Sequence, residues 1–270
     1  MFNRYARDFK IAKDRYMKKM FILYILLIIL PVNAQNIVGD NDSIVFVGNA
    51  IPYRFNYRQL IIPGTLITYG ATGLATDWVK KVNRNLRSRL KADVSNQVTI
   101  DDFTRFAPAV SVYALNALGI EGRNNFKDRT LILATSALFV TITVSGLKNI
   151  AKVQRPDGTT HDSFPSGHTT VAFAGAEFLW QEYKEVSVWY GIAGYTVATG
   201  TGIFRLYNDR HWLTDIAAGA GIGILSTKAA YWLNPFIKRK LFGTKENKIG
   251  FVAAPFYNGK QSGCSIIIQF

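Results

Sequence analysis

The sequence predicts an all-α fold, a helical bundle of about six helices followed by a short β-like C-terminal tail. Six apolar stretches occur along the chain, and they are rich in Gly, Ala, Ser and Thr. Small residues of this kind let helices pack closely against one another. The tail differs, because apolar residues flank a turn at Asn258-Gly259 and residues 265–270 are mostly apolar, which is typical of a β-hairpin.

The chain divides into four predicted segments. Residues 1–34 are predicted to be a signal peptide, and residues 35–57 a polar, irregular segment. Residues 58–242 form the predicted helical domain. Residues 243–270 form the β-like tail.

The predicted signal peptide rests on the order of charge, apolar run and small residues near the N-terminus. Lys18 and Lys19 precede an apolar run of about ten residues, 21–30, and small residues occupy the two positions that a signal peptidase reads, with cleavage after Ala34. A membrane span needs about 20 residues, so a retained anchor is the alternative interpretation. Either interpretation predicts export from the cytoplasm.

Six stretches between residues 60 and 232 are predicted to be helices. Asp101-Asp102, directly before the second stretch, is a typical helix N-terminal signal. A basic cluster at 80–91 separates the first two stretches. The predicted helices are residues 60–78, 103–118, 130–147, 169–183, 186–204 and 212–232.

Two of the predicted helices approach the length and apolarity of a membrane span. Residues 130–147 contain no Asp, Glu, Lys or Arg across 18 residues, and residues 186–204 are also uncharged. With a cleaved signal peptide, six crossings would put the loop after the third helix in the cytoplasm, whereas the basic residues 238–240 favour the opposite side. The sequence therefore leaves open whether the bundle is embedded in a membrane or docked on one.

The composition excludes some classes of protein. Of the 270 residues, 49% are hydrophobic and 19% charged, with a mean hydropathy of +0.08. The formal net charge of +14 suits nucleic acid, an anionic membrane surface or phosphorylated substrates. No nucleic-acid-binding signature accompanies this charge, and export would separate the protein from nucleic acid, so we reject that partner. The single cysteine, Cys264, excludes an internal disulfide framework and any CxxC motif.

Three runs of polar residues carry the chemistry, and each lies at the end of a predicted helix. A Lys-x6-Arg-Pro run, 148–156, follows the third helix. Pro-Ser-Gly-His, 165–168, precedes the fourth helix, and Arg-x5-His-x3-Asp, 205–215, connects the fifth and sixth. In an up-and-down bundle with short connections these helix ends share one mouth, so the sequence predicts a composite site there.

Five of these residues are predicted to bind phosphate. Lys148, Arg155 and Arg205 supply three cations, and the paired N–H donors of arginine suit phosphate oxygens. The Ser166 hydroxyl and the backbone N–H groups at a helix start add neutral donors. Gly167 lets the backbone approach a ligand closely, because it has no side chain.

Three residues are predicted to be catalytic. His211 and Asp215 are spaced i, i+4, so they would share one face of a helix. A carboxylate that holds one imidazole nitrogen leaves the other as an oriented nucleophile or base, and His168 is then free to protonate the leaving oxygen. His161, the third histidine, receives a peripheral role at most. A metal site is the alternative for His and Asp, but the neighbouring cations would repel a metal ion, and we expect none.

Together the three runs resemble the signature of the type 2 phosphatidic acid phosphatase (PAP2) family, which shares its site with vanadium-dependent haloperoxidases and bacterial non-specific acid phosphatases. The resemblance covers about residues 147–219. It implies an all-helical core, metal-independent phosphatase activity without a cofactor, and the roles given above to the site residues. The family's third run often begins Ser-Arg, whereas Phe204 precedes Arg205 here, a difference that removes a hydrogen bond but no member of the catalytic machinery.

These inferences predict a cell-envelope phosphatase that hydrolyses phosphomonoesters or diphosphates of lipids through a phosphohistidine on His211. Phosphatidic acid, isoprenoid diphosphates and lipid A are the expected substrate class, and the periplasmic face of a membrane is the expected location. A soluble periplasmic acid phosphatase of broad specificity is one alternative. It is favoured by the modest mean hydropathy and by the conflict between six membrane crossings and the position of the basic residues 238–240. A catalytically silent phospholipid-binding module is another, but binding alone would need only the cations. The resemblance implies longer chains for haloperoxidases, which disfavours that activity.

Overall fold

The computed structural model describes residues 55–91, 99–242, 250–257 and 262–269. The predicted signal peptide and the predicted turn at Asn258-Gly259 lie outside the described residues, as does most of the irregular segment at 35–57. Within the described ranges the predicted helical bundle is confirmed, since α-helices follow a short 3-10 helix at Tyr57–Leu60.

The described bundle contains eight α-helices rather than about six. The first predicted stretch is divided at Thr76, whose backbone is extended, and the second is divided after Thr104. The last helix continues ten residues beyond its predicted end at 232. In chain order the helices are α1 (Ile61–Ala75), α2 (Asp77–Lys91), α3 (Asp101–Thr104), α4 (Ala107–Ala117), α5 (Phe126–Ala151), α6 (Gly167–Tyr183), α7 (Val188–Tyr207) and α8 (Leu213–Phe242).

The basic cluster at 80–91, expected to separate two helices, is itself part of α2. Val79 and Asn83, four residues apart, are buried, whereas Lys81 and Arg84 are exposed. Residues four apart lie on the same face of a helix, so α2 packs one narrow face on the bundle and turns its charges to solvent. The many charges hide this pattern in the sequence.

α6 is the central helix, packed against α4, α5 and α7. Phe178, Leu179 and Tyr183 of α6 are fully buried in one cluster with Leu115 of α4 and Ile132 of α5. Burying a large apolar side chain contributes about 1.5–3 kcal/mol to stability. Because α6 begins immediately after the first two residues of the Pro-Ser-Gly-His run, this core also positions that run.

Glycines in α8 permit the close helix packing that the small residues predict. A Cβ atom at Gly219 would lie 2.7 Å from the carbonyl oxygen of Ser166, and one at Gly223 would overlap the carbonyl oxygen of Thr170. No side chain fits at either position, so the backbones of α6 and α8 approach each other directly. The start of α6 is thereby held against α8.

Of the described helices, α5 is the one that is long and apolar enough to cross a membrane. It has 26 residues, and the side chain of Asn125 caps its start by accepting a hydrogen bond from the Asp128 N–H at 2.9 Å. It ends where Lys152 adopts the left-handed conformation, with φ of 44°. This helix contains the predicted uncharged stretch at 130–147.

The described part of the C-terminal segment contains two strands, β1 (Gly250–Tyr257) and β2 (Ser262–Gln269). They pair antiparallel, with Gly250 opposite Gln269 and Tyr257 opposite Ser262. Residues 243–249 and 258–261 lie outside the described ranges, so the β-like tail as a whole stays a prediction.

Gly223→Ala is expected to lower the free energy of unfolding by about 1–3 kcal/mol, because the added methyl group must push the α6 backbone away. Thermal unfolding of the purified protein measures the loss. Gly200→Ala in α7 is the matched control, since no atom of the described residues outside its own helix lies within 4 Å of the added Cβ. Its stability should be unchanged or rise by up to about 1 kcal/mol. Equal losses in both variants would contradict direct contact between the α6 and α8 backbones.

Candidate active site

Two loops meet at one end of the bundle, as the order of the polar runs predicts. One connects α5 to α6 (residues 152–166), and the other connects α7 to α8 (residues 208–212). The indole Nε1 of Trp212 in the second loop donates to the carbonyl oxygen of Gln154 in the first at 3.0 Å. All three runs therefore lie at the same end of the bundle.

His211 lies in the α7–α8 loop, and the main chain holds one of its ring nitrogens. Its Nδ1 is 2.8 Å from the carbonyl oxygen of Ser163. A carbonyl oxygen can only accept, so Nδ1 carries the hydrogen and donates it. In the neutral ring Nε2 then keeps its lone pair. The contact with Ser163 thus selects the tautomer in which Nε2 is the basic nitrogen.

The prediction that His211 and Asp215 share a helix face is wrong, because α8 begins at Leu213 and His211 precedes it. The Asp215 carboxylate reaches back to the free donors at the helix start, as an acidic third residue commonly does. Its Oδ2 accepts from the Trp212 N–H at 2.9 Å and from the Ser163 hydroxyl at 2.5 Å. The same oxygen is 3.7 Å from Nδ1 of His211, an ion-pair distance that is too long for a hydrogen bond.

Burial lowers the pKa of the His211 imidazole below its ordinary value of 6.5. Only 2% of the side chain is exposed, and a charged ring loses its hydration there. Asp215 raises the pKa, whereas the charges of Arg205 and Lys148 lower it further. The neutral form of the ring is therefore favoured.

Lys148 and Arg155 share a counterion, Asp162, that the sequence analysis missed. Lys148 Nζ donates to Oδ2 of Asp162 at 3.2 Å, and Arg155 Nη2 donates to the same oxygen at 3.0 Å. Burial alone would raise the pKa of this carboxyl, but a hydrogen bond from Thr160 and the two cations hold it well below its usual range. A carboxylate thus takes the donors that a phosphate in this position would need.

Arg205, in the last turn of α7, is buried and has an acidic partner of its own. Its Nη1 donates to Oδ2 of Asp101 at 2.6 Å, and only 1% of that aspartate side chain is exposed. Its Nε is buried without a hydrogen-bond partner in the described part of the chain. Burial is the largest cause that lowers the pKa of His168 and of His211, and the charge of Arg205 lowers both pKa values further. The charge of Arg205 therefore acts on both histidines.

His168, the second residue of α6, contacts two side chains next to it from the α3 region. Its Nε2 is 2.7 Å from Oδ1 of Asp102 and 3.0 Å from Nη1 of Arg105. One nitrogen cannot donate to the carboxylate and accept from the guanidinium in the same state. Burial lowers the pKa of His168, and the hydrogen bond with Asp102 opposes that effect without cancelling it.

Ser166 and Gly167 mark the start of α6. The Ser166 hydroxyl is fully buried and lies 2.9 Å from Oγ1 of Thr169, and its N–H donates to the Asp215 carbonyl oxygen at 3.0 Å. Its N–H is therefore already engaged inside the protein, and its hydroxyl already has a hydrogen-bond partner there. Among the residues that the structure describes, the nearest atom to a Cβ at Gly167 would be Val144 Cγ1 at 3.8 Å, so their packing does not require glycine there. The first N–H groups of a helix have no partner within it and are free for a ligand.

One group of described residues has the composition of a metal site. Ligand atoms of Asp101, Asp102 and His168 lie within 4.8 Å of one another. Asp101 is paired with Arg205, however, and Arg105 contacts the ring nitrogen of His168. Guanidinium groups repel a metal cation at such distances, so these residues fit a metal ion poorly.

Several residues at the mouth were not predicted as site residues. Ser163 and Asp162 stand immediately before the Phe-Pro-Ser-Gly-His run, so proximity to that run is the signal that could have found them. Asp101 and Asp102 were interpreted only as a helix start. No spacing rule connects them to His168, 66 residues further along.

Residues 129–239 match the family model of the PAP2 superfamily. "Lipid A 1-phosphatase" from Porphyromonas gingivalis is 38% identical over 233 residues, which is 82% of this chain and 52% of that protein. "Bacitracin transport permease protein BcrC" from Bacillus licheniformis is 32% identical over 74 residues, 27% of this chain and 34% of that protein. The chain thus spans about half the length of the first of these relatives, and less of the second.

Two solved structures are similar to this chain, each at 22% identity. Aquifex aeolicus LpxE has a TM-score of 0.40, with 56% of this chain and 92% of that chain covered. The transmembrane PAP2-type phosphatidylglycerolphosphate phosphatase from Bacillus subtilis has a TM-score of 0.45, with 71% and 100% covered. The family match at 129–239 includes all three polar runs.

Proposed function

We propose that this protein is a metal-independent lipid phosphatase that transfers a phosphoryl group to His211 before water releases it. The observation that carries the proposal is the hydrogen bond from His211 Nδ1 to Ser163, which leaves Nε2 as the nucleophilic nitrogen beside the charge of Arg205. Such an oriented neutral imidazole is the requirement for nucleophilic catalysis by histidine.

Buried guanidinium donors at the same mouth support a phosphate as the ligand. The Nε atoms of Arg105 and Arg205 are buried and make no hydrogen bond in the described part of the chain. A buried donor without a partner costs about 1–3 kcal/mol. A phosphate group offers several anionic oxygens, so its binding satisfies donors that the protein alone leaves open.

In the first step, Nε2 of His211 attacks phosphorus, and the bond from phosphorus to the leaving oxygen breaks. His168 enters this step as the imidazolium, gives the proton on its Nε2, the one that Asp102 holds, to that oxygen, and becomes neutral. The positive charge that develops on the His211 ring is stabilised by the Ser163 carbonyl at 2.8 Å and the Asp215 carboxylate at 3.7 Å. The lipid alcohol then leaves.

In the second step, a water molecule attacks the phosphohistidine. His168, now neutral, accepts a proton from the water, the bond between phosphorus and Nε2 breaks, and its electron pair returns to His211. Inorganic phosphate leaves, and both histidines regain their starting states. Lys148, Arg155 and Arg205 stabilise the charge on the phosphoryl oxygens in both steps.

The contacts divide the phosphate-binding role unequally among the predicted residues. We assign it to Lys148, Arg155 and Arg205 and to the backbone N–H groups that begin at Gly167. Ser166, whose hydroxyl is engaged with Thr169, acts here by fixing the start of α6.

A lipid substrate is supported by the surface of α5 and by a relative. Leu138, Ile142 and Ile150 of α5 are 56%, 62% and 81% exposed, and exposed apolar surface marks contact with a membrane or with another protein. Ile150 is two residues from Lys148, so this surface reaches the mouth. The Porphyromonas gingivalis relative is named a lipid A 1-phosphatase. We therefore place the protein at the periplasmic face of a membrane, with phosphorylated lipids of the lipid A type as the first substrates to test.

His211→Ala is expected to reduce phosphate release by at least about a thousandfold, because the nucleophile is lost. The assay uses lipid A, phosphatidic acid, an isoprenoid diphosphate and p-nitrophenyl phosphate, each in detergent with EDTA present. His161→Ala is the matched control, since His161 is exposed and lies outside the predicted catalytic set. It should keep full activity, and circular dichroism should show both variants folded.

The substrate panel separates the alternatives. Release from the lipids alone supports a lipid phosphatase, whereas equal or better release from p-nitrophenyl phosphate supports a soluble acid phosphatase. Loss of activity on chelation would refute the metal-independent mechanism. Lipid binding without turnover would mean a silent binding module.

Asp162→Asn is expected to tighten inhibition by inorganic phosphate or orthovanadate by about fivefold. The anion competes with the Asp162 carboxylate for Lys148 and Arg155, and a partly exposed ion pair is worth about 1 kcal/mol. Asp157→Asn in the same loop is the matched control, because Asp157 pairs with Arg210 at 3.1 Å instead. Weaker inhibition of the Asp162 variant would mean that this carboxylate orders the two cations rather than competing for them.

His211 is expected to titrate below 6.5 in the folded protein. The folded state then binds fewer protons than the unfolded chain as pH falls through 6.5, so acidification both destabilises the fold and removes the nucleophile. NMR of the histidine-labelled protein measures the pKa, with His211→Ala identifying the resonance. Asp215→Asn should lower the pKa further, because the lost charge is one that raises it. A pKa of His211 above 6.5 would be inconsistent with a buried neutral nucleophile.

A further inference from the structure

Arg105, directly after α3, is a cation that contacts the candidate site from outside all three polar runs. Its Nη1 is 3.0 Å from Nε2 of His168, and its guanidinium carbon lies over the ring of Phe106, 4.6 Å from the ring centre. The three cations of the runs each pair with a carboxylate. Among the described residues, the contacts of the Arg105 guanidinium are with two rings instead. An anion that binds Arg105 therefore has no carboxylate to displace.

The same nitrogen of His168 lies within hydrogen-bond distance of a carboxylate and of a guanidinium. Nε2 is 2.7 Å from Oδ1 of Asp102 and 3.0 Å from Nη1 of Arg105. The contact with Asp102 needs a hydrogen on Nε2, whereas the contact with Arg105 needs the lone pair of that nitrogen. The Arg105 contact therefore exists only in a neutral form of the ring. The two neighbours of His168 thus stabilise different protonation states.

Charged groups act on His168 from α3 and from α7. Burial is the largest cause that lowers the pKa of the ring below its ordinary value of 6.5, and the charges of Arg205 and Arg105 lower it further. The hydrogen bond with Asp102 and the charge of Asp101 raise the pKa without cancelling these effects. The proposed reaction, however, needs the imidazolium form of the ring in its first step. The binding of substrate must therefore favour the protonated ring.

A phosphate at the mouth changes the partners of Nε2. In the proposed reaction this nitrogen faces the leaving oxygen, so the guanidinium that contacts it at 3.0 Å also lies beside the phosphoryl group. The His168 side chain is 20% exposed and Arg105 is half-buried, so an incoming anion can contact both. Arg105 donates more strongly to an anionic oxygen than to a neutral ring nitrogen. Once it has turned to the phosphate, Asp102 is the partner left at Nε2, and the negative charge of the phosphate favours the imidazolium as well.

We propose that Arg105 binds the phosphoryl group on its leaving side and gives up Nε2 of His168 in doing so, so that His168 takes up its proton only in the complex with substrate. This proposal rests on the proposed phosphatase function. The proton comes from solvent and lies on Nε2, donated to Asp102. It passes to the leaving oxygen as the bond from that oxygen to phosphorus breaks. His168 accepts a second proton from the attacking water and returns it to solvent when inorganic phosphate leaves and Arg105 donates to Nε2 again.

NMR of the histidine-labelled protein, in detergent with and without saturating inorganic phosphate, tests this coupling in the unaltered protein. His168→Ala identifies the resonance. At a fixed pH above the pKa of the free protein, phosphate should raise the ratio of imidazolium to neutral His168 by about tenfold, because an opposite charge beside a titrating group shifts its pKa by about this much. An unchanged or lower pKa in the presence of phosphate would overturn the proposal, and so would a failure to bind phosphate at all.

Arg105→Met removes the guanidinium and keeps a side chain of similar length. Without phosphate, the pKa of His168 should be higher in this variant than in the unaltered protein, and phosphate should raise it less. The dissociation constant for phosphate should increase by about tenfold, since one charge-assisted hydrogen bond is lost. Arg87→Met is the matched control, because Arg87 donates to Asp209 in the α7–α8 loop at 2.7 and 2.8 Å rather than to a histidine. It should keep both values.

Circular dichroism shows whether the two variants are folded, and the titration of the unaltered protein needs neither of them. Phosphate binding by the Arg105 variant as tight as in the unaltered protein would overturn the proposal, as would a lower pKa of His168 in that variant. So would a tenfold loss of phosphate affinity in the Arg87 variant too, because the effect would then follow from general charge.

Turnover of the lipids separates this proposal from the proposed function. Arg105→Met should lose about tenfold in kcat/KM, the same factor as in phosphate binding. If the variant hydrolyses the lipids as well as the unaltered protein does, the phosphatase function stands and the role of Arg105 is wrong. If no lipid is hydrolysed but inorganic phosphate still raises the pKa of His168 in a way that requires Arg105, the phosphatase function is wrong and the coupled anion site stands.

Discussion

The buried carboxylate and the carbonyl of Asp215 fix the positions of the two loops of the candidate site relative to each other. The carboxylate accepts from the Ser163 hydroxyl, and the carbonyl oxygen accepts from the Ser166 N–H. Ser163 in turn orients His211, and Ser166 starts the helix that carries His168. Only 1% of the Asp215 side chain is exposed, so water cannot replace its carboxylate. Removing the carboxylate would leave buried donors without a partner, and each such donor costs about 1–3 kcal/mol of stability. The relative position of both histidines therefore depends on this one residue.

The three cations of the site differ in how deeply their acidic partners are buried. Asp162, on Lys148 and Arg155, is 44% exposed and can turn into solvent when a phosphate arrives. Asp101, on Arg205, is 1% exposed, and breaking a buried pair by losing one partner costs about 3–5 kcal/mol. A phosphate can thus displace the first carboxylate, whereas it must add to the second pair through donors that Asp101 leaves open, such as Nε of Arg205.

The type of fold was predictable because long apolar stretches rich in small residues have few other structures available, and α5 and α7 lie within a few residues of their predicted bounds. The convergence of the polar runs followed from connectivity, since short loops bring successive helix ends together. Local chemistry was less predictable. Periodicity places His211 and Asp215 on one helix face, but the helix starts at Leu213, and a carboxylate in a first turn turns back to the free N–H groups.

The polar runs do not include the carboxylates that pair with the cations and with His168. The runs supply the cations and the histidines, which would contact a phosphate directly in the proposed reaction, and these residue types can be inferred from the chemistry of that ligand. The carboxylates that neutralise them, Asp101, Asp102 and Asp162, contact no proposed substrate atom, so ligand chemistry does not demand them. They are required by a different condition, that a partly buried cluster of cations and histidines must be stable before any anion arrives. Asp101 and Asp102 meet that condition from a helix that lies outside all three runs, so only the packed structure could identify them.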